Sequence, residues 1–332
     1  MDNHATTARM FLSAMERSEK IYTHYLASGR TYRDALDLKE CNAHIRDMVG
    51  TDLPNLPVQM RSPAQKLIRH YDDWLSLWED FDRSRDFGPD NLFLFENPHH
   101  FPKEAARSLI EYYRCQSLEM LFIGKKDDRN AYHAAEYVRQ IFPHTTVLFG
   151  ARGESFPEDM LWWKGDYIFS YLSPWIIPEG LLQRAAQGAI NWHPGPPEYP
   201  GIGCTNFAVY NCETVFGITC HYMAGRVDTG RIIEVRKFRI LENDTVFSVT
   251  QKCYACILNS FLSILDKIAV GDALPQSDEA WTRTPYTRKE LDALCKIMPD
   301  MPLEEVYRRV KATTYDRPWA YTEIEGLKFL LK

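Results

Sequence analysis

The sequence predicts an α/β protein: a parallel sheet covered by helices, with a helical domain before it and a short helix plus β-hairpin after it. Three observations point there. From Leu118 onward, short apolar strand-like runs alternate with helical stretches across short connections, as in sheets built from strand–helix–strand units. Before Leu118, apolar residues recur at helical spacing. Near the end, "WAYTEIEGLKFLL" reads as two strands around a Glu325-Gly326 turn. The boundaries that follow are 1–115 for the helical domain, 116–275 for the sheet domain and 276–332 for the C-terminal extension.

Within the helical domain, Leu67, Tyr71, Trp74, Leu75, Trp78 and Phe81 form an apolar stripe. Asp72, Asp73, Glu79 and Asp80 lie between them as an acidic face, which suits an amphipathic packing helix better than a metal site. A Pro/Gly/Asn-rich stretch, "FGPDNLFLFENPHHFP", then leads to a second helix over about 103–115. His99 and His100 fall in that stretch and have no acidic partner at metal-motif spacing.

The sheet domain opens with the strand "LEMLFIG" and a helix "DDRNAYHAAEYVRQIF", whose Asp sits where an N-cap is needed. Strands "TTVLFG" and "GDYIFSYLS", a helix "EGLLQRAA" and a strand "GAINWHP" follow. "FGITCHYM" and "RIIEVRKFRI" are two further strands joined by "AGRVDTG". A long helix after Asn243-Asp244 carries Val246, Val249, Cys253, Ile257, Phe261 and Ile264 on one face, and "PLEEVYRRVKAT" is a short helix beyond it. The first strand-to-helix turn, "FIGKKDDRN", is not GxGxxG, so a dinucleotide is not the expected ligand.

Bulk properties narrow the class. The chain has 332 residues, 45% of them apolar, which is ample for a core. It holds no uninterrupted apolar run near the ~18 residues that span a bilayer, and its first residues lack a secretory pattern. Eight cysteines without dense spacing read as free thiols, so the expected compartment is the cytoplasm and no membrane is expected. With a net charge of −6 and no basic stretch interleaved with aromatics, nucleic acid is not an expected partner.

Chemistry concentrates in "INWHPGPPEYPGIGC". Asn191 and His193 alternate along an extended segment, so their side chains face one way. An amide donor and an imidazole aimed at one spot can stabilise an oxyanion and move a proton near neutral pH. The next ten positions hold four prolines and three glycines, suited to a rigid loop at a strand end, where sheets of this kind bind ligands. Asp228, in "VDTG", is placed to orient or charge the imidazole or to take a proton through water. No Ser or Cys is spaced from His193 as a nucleophile elbow, so direct transfer is expected rather than a covalent intermediate. Cys253 and Cys256 form a lone CxxC on the apolar side of a helix, without a second ligand pair; no metal is expected. Cys204 and Cys220 border the site as packing residues, and His221 either supports the site or packs its strand.

These motifs resemble the formyltransferases that use 10-formyltetrahydrofolate. The family's ordered motifs read here Asn191-Trp192-His193-Pro194, Tyr199-Pro200-Gly201, Gly217-Ile218-Thr219-Cys220-His221 and Asp228-Thr229-Gly230, within a resemblance covering roughly Leu118 to Gly271. The resemblance implies a Rossmann-like formyltransferase core. In it Asn191 and His193 bind the formyl oxygen and the tetrahedral intermediate, and Asp228 assists proton transfer from the attacking amine. It further implies that Leu172, Ser173, Trp175, Ile176 and Ile177 of "SYLSPWIIPEGLL", together with Val227, hold the folate. The same resemblance implies that Pro196, Tyr199 and Gly201 belong to the substrate loop.

The wording of the loop and of the tail is closer to the sugar-nucleotide N-formyltransferases than to the transfer-RNA enzymes. Pro200 stands where the latter favour arginine, and Glu198 where a basic residue is common. The expected reaction is formyl transfer to the primary amine of a small acceptor, an amino-sugar nucleotide, with a homodimer as the candidate assembly. Hydrolysis of the formyl-folate, formylation of another small amine or amino acid, and a non-catalytic folate-binding scaffold are the alternatives. Those relatives normally begin at the first strand, so the helical domain is an addition of unassigned role.

Overall fold

A computed structural model describes residues 3–28, 31–84, 101–316 and 319–331. The Pro/Gly/Asn-rich stretch up to His100, with His99, and the side chains of Asp80 and Phe81 lie outside the described residues. The chain forms two compact units, Met1–Leu118 with Ala269–Gly271, and Glu119–Ile268 with Asp272–Lys332.

The first unit is helical: α1 (Asn3–Ala27), α2 (Tyr32–Asp52), α3 (Val58–Ser84) and α4 (Lys103–Ser117). The stripe on α3 does what its spacing predicts, since Leu67, Tyr71, Trp74 and Trp78 are buried. Leu67 and Tyr71 join Phe11, Ile45, Leu109 and Tyr113 in one core cluster, and Trp74 and Trp78 join Tyr25 and Leu38 in another. The acidic face of α3 stays exposed, with Asp72 accepting from Arg46 Nε at 2.7 Å. Inside the unit the Tyr113 hydroxyl donates to Asp52 Oδ2 at 2.7 Å, which satisfies a buried carboxylate.

The second unit is built on a six-stranded sheet in the order β2-β1-β3-β4-β5-β6. Its strands are β1 (Met120–Lys125), β2 (Thr145–Gly150), β3 (Gly165–Tyr171), β4 (Ala185–His193), β5 (Val215–Tyr222) and β6 (Ile232–Arg239). Pairs β1–β2, β1–β3 and β3–β4 are parallel, as expected from the strand–helix alternation. Pairs β4–β5 and β5–β6 are antiparallel, so the parallel part of the sheet carries an antiparallel edge. The β5–β6 connection is shorter than the dozen or so residues a parallel crossover requires, so the chain turns back on itself.

Helix α5 (Arg129–Ile141) starts at Asp128, whose side chain accepts from Ala131 N, as the capping pattern predicts. The helix expected over "EGLLQRAA" is only α6 (Glu179–Leu182). From Ala185 the chain is extended, because Ala185 and Ala189 are buried with Ile123 and Ile168 as part of β4. After α7 (Cys204–Tyr210) and the two antiparallel strands comes α8 (Val246–Val270). Its mean hydropathy reaches 1.5 over its most apolar window, so it is long and apolar enough to cross a membrane by that measure. Its predicted face is nevertheless buried: Phe261 packs its ring edge-on against Trp192 (4.9 Å), Tyr171 (5.3 Å) and Phe122 (5.8 Å).

The C-terminal extension falls in the same unit. It holds α9 (Arg288–Cys295), started by a reciprocal Thr287/Glu290 capping box, α10 (Leu303–Thr313) and the hairpin β7 (Tyr321–Ile324)–β8 (Leu327–Leu330). The hairpin turns where expected: Glu325 and Gly326 both take positive φ, 49° and 81°, as a two-residue turn of this hand requires.

Candidate active site

The pleat of β4 sorts its last residues onto two faces. Trp192 points into the core beneath α8 and donates Nε1–H to Ser260 Oγ at 2.9 Å. Asn191 and His193 lie on the other face, opposite His221 and Thr219 of the antiparallel β5. The two residues the alternation pairs are therefore brought together, and the same parity adds His221 to them.

Beyond His193 the chain leaves the sheet and folds back on it. Thr219 Oγ1 donates to Gly195 O at 2.8 Å, and the thiol of Cys204 donates to Pro194 O at 3.0 Å. The carbonyl of Tyr199 comes within 2.8 Å of His193 Nε2. Gly201 is required twice over: its φ is +89°, and a Cβ there would lie 2.4 Å from Tyr286 O. Its N–H donates to Asp228 Oδ2 at 2.7 Å.

Asp228 sits at the centre of the constellation. It occupies the left-handed region (φ 48°) in the β5–β6 loop, an uncommon conformation that residues of binding and catalytic sites often adopt. Its Oδ2 is 3.2 Å from His193 Nδ1 and its Oδ1 is 3.3 Å from His221 Nε2. The carboxylate is only 5% exposed and His193 only 4%. Burial pushes the carboxyl up, but the adjoining His193, the hydrogen bond and charge of His221 and the Gly201 N–H outweigh it and hold it down at about 2.

Donor–acceptor accounting constrains the imidazoles. Both ring nitrogens of His193 face acceptors, Asp228 and Tyr199 O, so both contacts are made only when each nitrogen carries a hydrogen. His221 Nδ1 donates to Tyr222 O at 2.8 Å. Its Nε2 is shared between Asp228 and the amide of Asn191, which is 3.1 Å away. That nitrogen accepts from Asn191 when bare and donates to Asp228 when protonated. Asn191 is only half-buried, and so keeps access to a ligand.

The remaining sequence-predicted residues fall around this centre in different ways. Leu172, at the end of β3, takes a left-handed φ of 54°. Ser173 Oγ accepts from Trp175 N at 3.2 Å, and Trp175 donates Nε1–H to Glu154 O at 2.8 Å. Ile176 (77%) and Val227 (48%) expose large apolar side chains, whereas Ile177 is buried in the core with Leu181. The Tyr199 hydroxyl donates to Glu213 Oε1 at 2.6 Å and accepts from Asn211 Nδ2 at 2.9 Å, so this side chain anchors the loop. What Tyr199 brings to His193 is its carbonyl. Pro196 is buried in the same loop.

Residues that the sequence reading passed over also meet here. Trp281 packs edge-on against His221 (5.0 Å) and His193 (5.9 Å). No spacing rule ties it to the strand ends. Cys204, Cys220 and Cys253 are buried, and burial raises each thiol, in keeping with packing roles. Among the described residues, no group of three or more His, Cys, Asp and Glu is disposed to hold a metal ion.

Residues 164–257 match the family model described as formyl transferase. The match covers 94 of the 332 residues. The matched segment runs from the start of β3 into α8 and includes Asn191, His193, His221 and Asp228. A methionyl-tRNA formyltransferase of Geobacillus thermodenitrificans is 28% identical over 174 residues, 51% of this chain and 53% of that protein, so the chain spans about half the length of this curated relative. Among solved structures, a sugar N-formyltransferase of a Shewanella species superposes with a TM-score of 0.53 at 18% identity, covering 64% of this chain and 96% of that one. A Helicobacter canadensis N-formyltransferase, solved with folinic acid and dTDP-3-aminofucose, gives a TM-score of 0.50 at 17% identity over 64% of this chain and 86% of that one. At these identities the structures show a shared fold.

Proposed function

We propose that the chain transfers a formyl group from 10-formyltetrahydrofolate to the primary amine of a small acceptor, an amino-sugar nucleotide. One observation carries the reading: inside the matched segment, a buried Asp228 carboxylate is bracketed by two imidazoles beside the accessible amide of Asn191. When bound, the folate supplies the formyl carbon as an electrophile. Leu172, Ser173, Trp175, Ile176, Ile177 and Val227 would hold it. The exposed Ile176 and Val227 and the left-handed turn at Leu172, at the end of a sheet strand, suit a flat ring with hydrogen-bonding edges.

Asn191 donates an amide N–H to the formyl oxygen as negative charge gathers there. His193 Nε2–H is the second donor; it faces Tyr199 O in the free protein and exchanges that partner for the substrate oxygen. A well-placed donor of this kind contributes roughly 3–4 kcal/mol to lowering the barrier. As the new C–N bond forms, the amine gives up a proton; as the old one breaks, the departing nitrogen takes one. The amine's proton passes to His221 Nε2, which accepts when bare, and the departing nitrogen takes one from the doubly protonated His193. Asp228, held down at about 2, is too weak a base to accept it near neutral pH, and instead keeps both rings oriented and charge-balanced.

Pro200 in place of an arginine, Glu198 and the net charge of −6 favour a small acceptor over an RNA. The sugar nucleotide in the Helicobacter canadensis structure supports the same class. In this reading residues 116–275 form the catalytic domain, 276–332 complete it, the exposed Leu327, Phe329 and Leu330 of β8 serve a homodimer contact, and the protein works in the cytoplasm. The test is a mass-spectrometric screen of amine acceptors, sugar nucleotides first, with 10-formyltetrahydrofolate. A one-formyl mass gain on an amino-sugar nucleotide is the expected result. Gain only on free amino acids or on initiator tRNA overturns the acceptor, and formate released without any amine points to hydrolysis instead.

A further inference from the structure

We infer that Trp281 is a positioning residue of this site, holding the His193 and His221 imidazoles against Asp228. The inference rests on the formyl-transfer reading for its kinetic consequence but on geometry for its existence. The indole meets both rings edge-on, at 5.0 Å and 89° for His221 and at 5.9 Å and 69° for His193. Its own Nε1–H is committed, donating at 2.8 Å to the carbonyl of Gly230, two residues along the loop that carries Asp228. Trp281 therefore ties the carboxylate's loop to the two rings that flank it.

The segment bearing it is fixed to the catalytic loop. Thr282 N–H donates to Pro197 O at 3.2 Å and Tyr286 N–H to Pro200 O at 2.8 Å, while Ile202 N–H donates to Tyr286 O at 3.0 Å. The Tyr286 ring stacks on Phe207 with centroids 3.9 Å apart. An indole pinned in this way has little freedom to leave the imidazoles. Trp281 lies outside the segment that matches the formyl transferase family, so this contribution comes from the C-terminal extension.

Trp281→Phe and Trp281→Ala in the full chain separate the ring from its anchor. In proton NMR of the free protein, slowly exchanging downfield imidazole N–H resonances are expected for wild type, retained in Trp281→Phe and lost or broadened in Trp281→Ala. In the acceptor assay Trp281→Ala is expected to lower kcat about tenfold or more while KM stays within about threefold, as for a misplaced catalytic group. Trp281→Phe should keep most of the wild-type kcat. Unchanged resonances in a folded Trp281→Ala, or an unchanged kcat, overturn the inference. Should Trp281→Ala not fold, Trp281→Leu takes its place, because it fills the space without an aromatic edge. If wild type transfers no formyl group, the functional reading fails while the resonances still decide the positioning role.

Discussion

Asp228→Asn removes a charge and leaves the shape and backbone of the position alone. Asparagine tolerates the left-handed conformation that Asp228 adopts, so the substitution adds no strain. The wild-type carboxyl is lifted by burial and lowered further by His193, His221 and Gly201, from 3.8 to about 2. That gap corresponds to about 2 kcal/mol of folding stability at neutral pH. A depressed carboxyl stabilises the fold above its unfolded value and loses that contribution as pH falls through the folded one. The penalty of Asp228→Asn should therefore be full above roughly pH 5, about half near pH 3 and gone below about pH 2. For a unit of this size, about 2 kcal/mol appears as a Tm lowered by ~4–8 °C, measurable by calorimetry at pH 7. Turnover should fall ~10²–10⁴-fold, the usual range for losing proton-transfer assistance. A variant that melts with wild type at pH 7 and turns over within a few-fold of it would refute the account of Asp228 as the charged hub.

The other perturbations test the parts around that hub. Asn191→Ala removes a half-buried amide, so kcat should drop ~10²–10³-fold while the melting temperature hardly moves; equal losses in both would mean the amide is structural. Gly201→Ala forces a Cβ to within 2.4 Å of Tyr286 O at a φ of +89°, and should cost ~2 kcal/mol or more together with most activity, read by urea unfolding and turnover. Ile176→Asp puts a charge where a 77%-exposed isoleucine stands; KM for the formyl-folate should rise at least ~10-fold with unchanged stability, and an unchanged KM removes Ile176 from the folate site.

What the sequence made legible follows from what its patterns can encode. The stripe on α3, the cap at Asp128 and the buried face of α8 are local periodicities or caps, and each appears where it was read. The short connection marks β6 as antiparallel to β5, but the direction of β5 beside β4 was not legible, because a buried run such as "FGITCHYM" looks the same in either orientation. Nor was the end of the helix before β4, since Ala-rich stretches satisfy helix propensity while tertiary packing claims Ala185 and Ala189 for the sheet.

The same distinction runs through the site. Asn191 and His193 could be paired from the sequence because a strand's two-residue period fixes which side chains share a face. The cross-strand partner His221 obeys that parity too, but only once β5 is known to lie beside β4 in the register Asn191↔His221. Asp228, Tyr199 O and Trp281 reach the imidazoles from loops, where no periodicity relates sequence position to direction. Asp228 is marked by its glycine-flanked motif and Tyr199 by the resemblance of its Tyr-x-Gly turn to the family's, whereas Trp281 has neither signal. Its place is set by backbone hydrogen bonds between residues 282–286 and the loop after β4, contacts made by peptide groups that any sequence possesses. Residues held in a site by such main-chain pairing leave no mark in the pattern of side chains, so they are the ones a sequence reading is expected to miss.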